Sequence, residues 1–429
     1  MRESRGYTAG HGRGHGIDQL THLASGMTVT YDDVPSVGTT ALAFFVGVGS
    51  RHESPAEWGH AHLLEHLVFK GAGSRDFRAI AEEMDRLGAD VNAFTTREYT
   101  CYYARVLDRE AVNAYRLLVD LVCEPWLTAQ DLEREKNVVL EELRETRDDP
   151  DEVVDLLITE ALYQDPAYTH DVLGTADTIR AATPESVRRF YHSYYQPNNM
   201  VFAVSGGAAP ALVDLVTREF AGPTAATRLP LGFPAPASVM GERRLDLDWE
   251  QVRLALGVLA PGRYHPDYAA TLVFSSILGG QNSSRLWQRL REEEGLVYTV
   301  AAQYQPDSGH GDLVISLGLS RENVVHAVQC VREEVERLAQ EGPSESELLH
   351  TRNALQTMWV MNQETPDARV MRLGRYALDQ VLPPSQGVVQ DALNAVSADD
   401  VREAASPWLR LEDVARAVAG PLVSTLSLW

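Results

Sequence analysis

The chain of 429 residues has few cysteines, few aromatic residues and no long apolar run. Its three cysteines, Cys101, Cys123 and Cys330, cannot all pair with one another and lack the spacing of a metal cluster, which favours a reducing compartment. No segment approaches the roughly 18 consecutive apolar residues of a membrane span, and the N-terminus has no hydrophobic signal core. We therefore expect a cytoplasmic protein that does not bind a membrane.

Positive charge is also scarce. The 38 lysines and arginines are outnumbered by 61 aspartates and glutamates, which gives a formal net charge of -23. Such a chain repels the phosphates of nucleic acids, so we expect no nucleic-acid partner. The hydrophobic content of 44% is that of a globular protein, and the length allows two or more domains with separate cores.

The most informative segment is His62-Leu63-Leu64-Glu65-His66, which places two imidazoles four residues apart with a carboxylate between them. On a helix these side chains border one face, so His62 and His66 can bind one zinc ion while Glu65 can take a proton from water. H-x-x-E-H is the inverted form of a common zinc-hydrolase signature. A random order of this composition gives roughly 0.03 such matches. The alternative is two core histidines that ordinary hydrogen bonds satisfy.

Zinc needs a third protein ligand from another segment. Residues 131–147 have the apolar spacing of a long helix, with Thr128 as its predicted N-cap. Glu135 and Glu142 lie seven residues apart, two turns along one face, so one can bind the metal while the other supports the site. Spacing alone leaves open which of them does so, and a solvated helix face is the alternative for each.

Residues 49–51 and 59–71, which include the zinc motif, closely resemble the pitrilysin or insulinase family of zinc peptidases, and most of all the branch of the mitochondrial processing peptidase and its bacterial relatives. The resemblance extends over nearly the whole chain. It implies that Glu142, which follows His66 by 76 residues, is the third zinc ligand and that Glu135 supports catalysis.

Two further segments resemble this family. Residues 92–100 resemble its Asn-Ala-aromatic-Thr segment, which implies that Asn92 and Ala93 bind substrate. Residues 283–298 resemble its C-terminal signature. There the resemblance implies that Arg291 and Tyr298 reach from the second domain, bind substrate near the zinc ion and take part in catalysis. Without the family context, such an arginine and tyrosine are usually ordinary surface and core residues.

Proline and small residues are concentrated in residues 222–241, which indicates a semi-extended linker between two halves. We predict a flexible tail at 1–19, a zinc-binding catalytic domain at 20–221 and a substrate-binding domain at 242–429. Each half repeats a strand, a glycine turn, an apolar helix, a strand pair and a long helical pair, which indicates a gene duplication. Only the first copy holds the predicted zinc ligands.

The predicted fold class is α+β, with two homologous domains that each combine an antiparallel-rich sheet with helices packed on one side. The resemblance implies that the two domains form a clam-like chamber. The predicted function is a zinc endopeptidase with one Zn2+ per chain that cleaves oligopeptides or unfolded precursor and leader peptides. The strand that carries Asn92 offers its edge to an extended peptide, and Glu65 acts as the base. The resemblance also implies a homodimer, or a heterodimer with a related chain.

Two other functions stay open on the sequence. Relatives with this fold also act as non-catalytic structural or partner subunits of a peptidase heterodimer. Degraded metal motifs are their usual mark, whereas the metal residues are all present here. The second alternative is a zinc hydrolase that acts on non-peptide amides.

Overall fold

The computed structural model describes residues 20–223, 237–410 and 413–426. The predicted tail at 1–19 lies outside these ranges, as do residues 224–236 of the predicted linker, so the domain boundaries stay a prediction. Within the described ranges, none of the helices combines the length and the apolar character that a membrane crossing requires.

The first half is built on a six-stranded sheet. Its strands and the short hairpin β4–β5 beside it are β1 (Thr21–His22), β2 (Thr28–Asp33), β3 (Thr39–Val46), β4 (Gly71–Ala72), β5 (Arg75–Asp76), β6 (Asp90–Thr95), β7 (Thr100–Leu107) and β8 (Met200–Gly206). The strand order in the sheet is β1-β2-β8-β3-β7-β6, so β6 forms one edge. Strands β2 and β8 pair in parallel, and the other neighbours are antiparallel.

Helices connect and cover these strands. Those of the first half are α1 (His60–Val68), α2 (Phe77–Leu87), α3 (Ala111–Cys123), α4 (Ala129–Asp148), α5 (Pro150–Leu162), α6 (Pro166–Thr169), α7 (Ala176–Ala181), α8 (Pro184–Tyr194) and α9 (Ala209–Glu219). The predicted long helix corresponds to α4, and its N-cap is Thr128 as expected, because the Thr128 side chain accepts a hydrogen bond from the Asp131 amide.

The second half repeats the plan on a five-stranded sheet. Its strands are β9 (Glu242–Asp246), β10 (Val252–Pro261), β11 (Val297–Pro306), β12 (His310–Leu319) and β13 (Ala415–Gly420). Their order is β11-β12-β10-β13-β9, with β9 and β13 parallel. Its helices are α10 (Tyr268–Gly279), a π-helical segment (Trp287–Glu293), α11 (Val324–Glu341), α12 (Glu345–Met361), α13 (Pro366–Leu378), α14 (Gln386–Ala395) and α15 (Ala398–Ala405).

Strand β3 lies between two cores, because successive side chains of a strand point to opposite faces. Phe44 belongs to the large core that the helices of the first half cover. Phe45 belongs to a second core with Val370 and Leu373 of α13, a helix of the other half. Gly374 packs so closely on the Phe45 ring that a Cβ atom there would overlap it.

The two halves exchange helices: α13 of the second half covers the sheet of the first, and a helix of the first half covers the sheet of the second. Helix α5 of the first half packs on the sheet of the second half through Val154, Ile158 and Leu162. The predicted α+β class with two antiparallel-rich sheets is confirmed. The sequence did not predict that each half would cover its second sheet face with a helix from the other. Two buried apolar contacts therefore tie the halves together.

Candidate metal centre and catalytic residues

Helix α1 carries the predicted zinc motif on its one polar face. Its apolar side chains are fully buried and fix the rotation of the helix: Ala61, Leu63, Leu64, Leu67 and Val68. His62, Glu65 and His66 are consequently left half-buried on the other face. The helix is in contact with α4, which supplies Glu142.

The structure brings the three predicted ligands together. One donor atom from each of His62, His66 and Glu142 lies within 4.8 Å of the others. The Nε2 atom of His62 is 3.9 Å from one carboxylate oxygen of Glu142, and the Nε2 atom of His66 is 3.6 Å from the other. Two imidazoles and a carboxylate are the donor set of many catalytic zinc sites.

The chemistry of these donors fits a zinc ion. Glu142 Oε2 is buried and has no hydrogen-bond partner among the described residues, although a buried carboxylate oxygen normally has one. Burial, with a smaller contribution from His66, lowers the pKa of His62 to about 3. The imidazole of His62 is therefore neutral near pH 7, which is the form that binds metal.

Glu135 braces the second histidine. Its Oε2 atom accepts a hydrogen bond from Nδ1 of His66 at 3.2 Å, which leaves Nε2 facing Glu142. Its Oε1 atom lies 3.0 Å from the ammonium group of Lys70. Burial opposes ionisation of Glu135, but the hydrogen bonds from His66 and Lys70 lower its pKa. Glu135 thus holds the ring orientation of His66, which is the common role of such a carboxylate beside a metal.

Glu65 is held by Thr95, the threonine of the Asn-Ala-aromatic-Thr segment, to which the sequence assigns no role. The Thr95 hydroxyl at the end of β6 donates a hydrogen bond of 2.5 Å to Glu65 Oε2. Burial raises the pKa of Glu65, and the hydrogen bond from Thr95 partly opposes this rise. A carboxylate with a raised pKa and one fixed oxygen is suited to proton transfer.

The predicted substrate strand lies beside this group. Asn92 and Ala93 are part of β6, the edge strand, which also contacts α1. Asn92 is exposed, and its side-chain oxygen accepts a hydrogen bond from the Ala93 amide at 2.8 Å. Among the described residues, no strand pairs with the outer edge of β6. An extended peptide can therefore pair with this edge.

Arg291 and Tyr298 are not part of this group in the structure. Arg291 lies over the Trp287 ring at 5.0 Å, and Tyr298 is the second residue of the edge strand β11, with 55% of its surface exposed. Within the described residues, neither side chain pairs with the donor group on α1 and α4. Their predicted contact with substrate therefore stays a prediction.

The buried carboxylate of Glu53 fixes the start of α1, although no local sequence pattern indicates this role. Both oxygens of Glu53 accept backbone hydrogen bonds of 2.7 Å, one from Gly59 and one from Ala61. Glu53 Oε2 also hydrogen-bonds to Nε2 of His170 at 3.2 Å, and His170 stacks on Trp58. These partners are up to 117 residues apart along the chain, so no local pattern reveals them.

Comparison with known proteins agrees with this fold. Residues 28–176 match the model of the insulinase family (peptidase family M16), and residues 181–355 match the model called peptidase M16 inactive domain. An uncharacterized zinc protease of Bacillus subtilis, YmxG, is 32% identical over 92% of this chain and 97% of its own length. An uncharacterized zinc protease of Streptomyces coelicolor is 33% identical over 90% of this chain and 88% of its own length.

Solved structures share the fold at lower sequence identity. A protease from Helicobacter pylori superposes with a TM-score of 0.85 at 20% identity and covers 94% of this chain and 99% of its own. A Pseudomonas fluorescens structure described as a peptidase M16 inactive domain gives a TM-score of 0.83 at 23% identity, with coverage of 94% and 98%. The relatives that match nearly the whole chain are named zinc proteases, so the family is one of metalloproteases. The chain belongs to the insulinase family, peptidase family M16.

Proposed function

We propose that this protein is a zinc-dependent endopeptidase that cleaves oligopeptides or unfolded precursor and leader peptides. The observation that carries the proposal is the convergence of His62, His66 and Glu142 within 4.8 Å, with Glu65 on the same face of α1. One zinc ion per chain, bound by these residues, would supply Lewis-acid chemistry that polarises the peptide carbonyl and lowers the pKa of water.

Glu65 performs the proton transfers in this proposal. Its carboxylate takes a proton from the attacking water and later passes that proton to the leaving amine. The hydrogen bond from Thr95 keeps one oxygen of Glu65 fixed, so the other oxygen stays available to the water. Glu135 keeps His66 in the tautomer whose Nε2 atom is free to bind metal.

The free edge of β6 supports a peptide as the substrate. An extended peptide that pairs with this edge would gain main-chain hydrogen bonds that depend little on its sequence. Only a flexible or unfolded segment can adopt that conformation, so folded proteins would be poor substrates. The proximity of β6 to α1 would place such a peptide next to Glu65.

We further propose that Arg291 and Tyr298 act on peptide bound by a partner chain, either a second copy or a related protein. The exchanged helices α5 and α13 bury apolar surface between the halves, so a hinge motion within one chain would disrupt two cores. The exposure of Tyr298 is consistent with a role in such a dimer. Two facing chains would then enclose the peptide.

The proposed location is the cytoplasm. Cys101, Cys123 and Cys330 are free thiols, which is the usual state in a reducing compartment.

A peptide-cleavage assay tests the proposed activity. The wild-type protein should cleave a mixed pool of unfolded peptides at internal bonds, as read by mass spectrometry. Glu65→Gln should lower the rate by about 10²-fold or more because the base is lost. Glu133→Gln is the matched control, since this acid on α4 is largely exposed and pairs with Lys136. Cleavage by Glu65→Gln at the wild-type rate would remove Glu65 from its role. A zinc-loaded wild type that cleaves nothing would favour a non-catalytic partner subunit.

A further inference from the structure

A second group of metal-binding side chains lies in the second half of the chain. One donor atom from each of Glu294, His326 and Cys330 lies within 4.8 Å of the others. His326 and Cys330 are four residues apart on α11, and Glu294 follows the π-helical segment Trp287–Glu293. The Nε2 atom of His326 is 3.8 Å from Glu294 Oε2.

This group has the same kind of geometry as the first one. In both, two donors lie four residues apart on one helix, and a carboxylate from another segment faces them. The distance of 3.8 Å between His326 and Glu294 matches the 3.9 Å and 3.6 Å distances from the histidines of α1 to Glu142. The difference is that a thiol replaces one imidazole, which shifts the preference towards softer metal ions.

In the structure, Arg289 forms an ion pair with Glu294, one of these metal-binding side chains. The guanidinium group of Arg289 lies 3.1 Å from Glu294 Oε1 and 3.6 Å from Glu333, and its proximity to the Cys330 thiol contributes to the raised pKa of Arg289. The Arg289 side chain is one-third exposed and already lies 3.6 Å from Glu333, so a small rotation towards Glu333 would leave Glu294 and Cys330 to another cation.

We propose that Glu294, His326 and Cys330 form a second metal site that takes one thiophilic ion, such as Zn2+ or Cd2+, when Arg289 moves to Glu333. Cys330 loses its proton on binding, and the metal takes the place of that proton and of the guanidinium charge. Because the metal competes with Arg289, this site binds more weakly than the site on α1 and α4. It fills when metal is in excess.

Because of the position of Glu294, metal bound at the second site should affect peptide cleavage. This part of the inference rests on the proposed function. Glu294 lies between Arg291 and Tyr298 in the chain and precedes Gly295, whose φ of 62° is a left-handed conformation that favours glycine. Metal at the second site ties this segment to α11. Arg291 and Tyr298 then lose freedom to reach the peptide, so excess metal inhibits cleavage.

Cadmium binding tests the site without any need for activity. The double variant His62→Ala/His66→Ala removes the first site, and Cd2+ titration should then give one equivalent with the near-ultraviolet absorption of a cadmium–thiolate bond. Adding Cys330→Ser should abolish that absorption, whereas adding Cys123→Ser, at a thiol outside the site, should leave it unchanged. Absence of the absorption, or its persistence in Cys330→Ser, would overturn the proposal.

Two further variants do not depend on replacing a buried residue. His326 is 55% exposed, so His326→Ala should fold normally and weaken cadmium binding about tenfold or more. Arg289→Ala should tighten binding because the competing cation is gone. Unchanged affinity in either variant would contradict the assigned ligands or the displacement of Arg289.

The inhibition is measured separately on the wild-type protein. Excess Zn2+ should inhibit peptide cleavage, and His326→Ala should need a higher Zn2+ concentration for the same inhibition. Equal sensitivity of the two proteins would refute the coupling between the site and Arg291 or Tyr298. A protein that binds cadmium as expected but cleaves no peptide would instead refute the proposed function and leave the second site in place.

Discussion

The buried carboxylate of Glu53 should be essential for the position of the zinc-binding helix. Its side chain is completely buried and satisfies two amides at the start of α1, those of Gly59 and Ala61, as well as a ring nitrogen of His170. Burial raises the pKa of Glu53, while these hydrogen bonds oppose the rise. Because α1 begins at His60, the same contacts set the place of both metal-binding histidines.

The expected loss of unfolding free energy in Glu53 variants follows from the buried groups that lose their hydrogen-bond partner. A buried donor left without an acceptor costs about 1–3 kcal/mol. Glu53→Ala leaves two amides and one imidazole nitrogen without this partner, so the free energy of unfolding should fall by about 3–9 kcal/mol. Glu53→Gln keeps one side-chain oxygen as an acceptor and should cost about 1–3 kcal/mol. Zinc affinity should fall in the same order, because the helix start is displaced.

Urea unfolding of the metal-free protein, followed by tryptophan fluorescence, measures this effect, and competition with a chelator measures zinc affinity. Glu57→Ala is the control, since its carboxylate accepts hydrogen bonds from the exposed residue Ser54 and its loss should change the free energy of unfolding by less than about 0.5 kcal/mol. An unfolding free energy for Glu53→Ala equal to that of Glu57→Ala would refute the reasoning.

The remaining predictions concern other contacts of the site and the fold. Thr95→Val should keep zinc bound but lower the cleavage rate about 10-fold or more, because Glu65 loses a charge-assisted hydrogen bond; an unchanged rate would contradict that role. Gly374→Leu should lower the thermal unfolding midpoint by several degrees, because the new side chain overlaps Phe45; an unchanged midpoint would contradict the packing of α13. Mixing inactive Glu65→Gln and Tyr298→Phe chains should restore about a quarter of the wild-type activity if each site uses a partner chain, and no recovery would contradict that arrangement.

The sequence predicts best those features that depend on local patterns. Helices α1 and α4 follow from apolar spacing and from the Thr128 N-cap, and His62 and His66 follow from their four-residue separation. Glu142 could not be chosen over Glu135 by spacing, because both face α1, and the family resemblance made that choice. The structure then assigns the two acids different contacts.

Features that depend on distant parts of the chain were not predictable. Thr95 meets Glu65 across 30 residues, and Glu53 meets His170 across 117. The exchange of α5 and α13 was missed for a related reason, since an amphipathic helix shows which face it buries but not which sheet it covers. The sequence around Cys330 predicts only a buried core residue. Its proximity to Glu294 depends on the position of α11, which no local pattern shows.

The zinc content of ligand and base variants tests the central claim most directly. In a Cys330→Ser background, which removes the second site, the purified protein should hold one zinc ion per chain after dialysis, as measured by elemental mass spectrometry. Glu65→Gln should keep that ion, because its carboxylate is not a ligand. Glu142→Ala should weaken zinc binding by at least about tenfold and lose the ion on dialysis. Full zinc occupancy in Glu142→Ala would contradict the account of the metal centre.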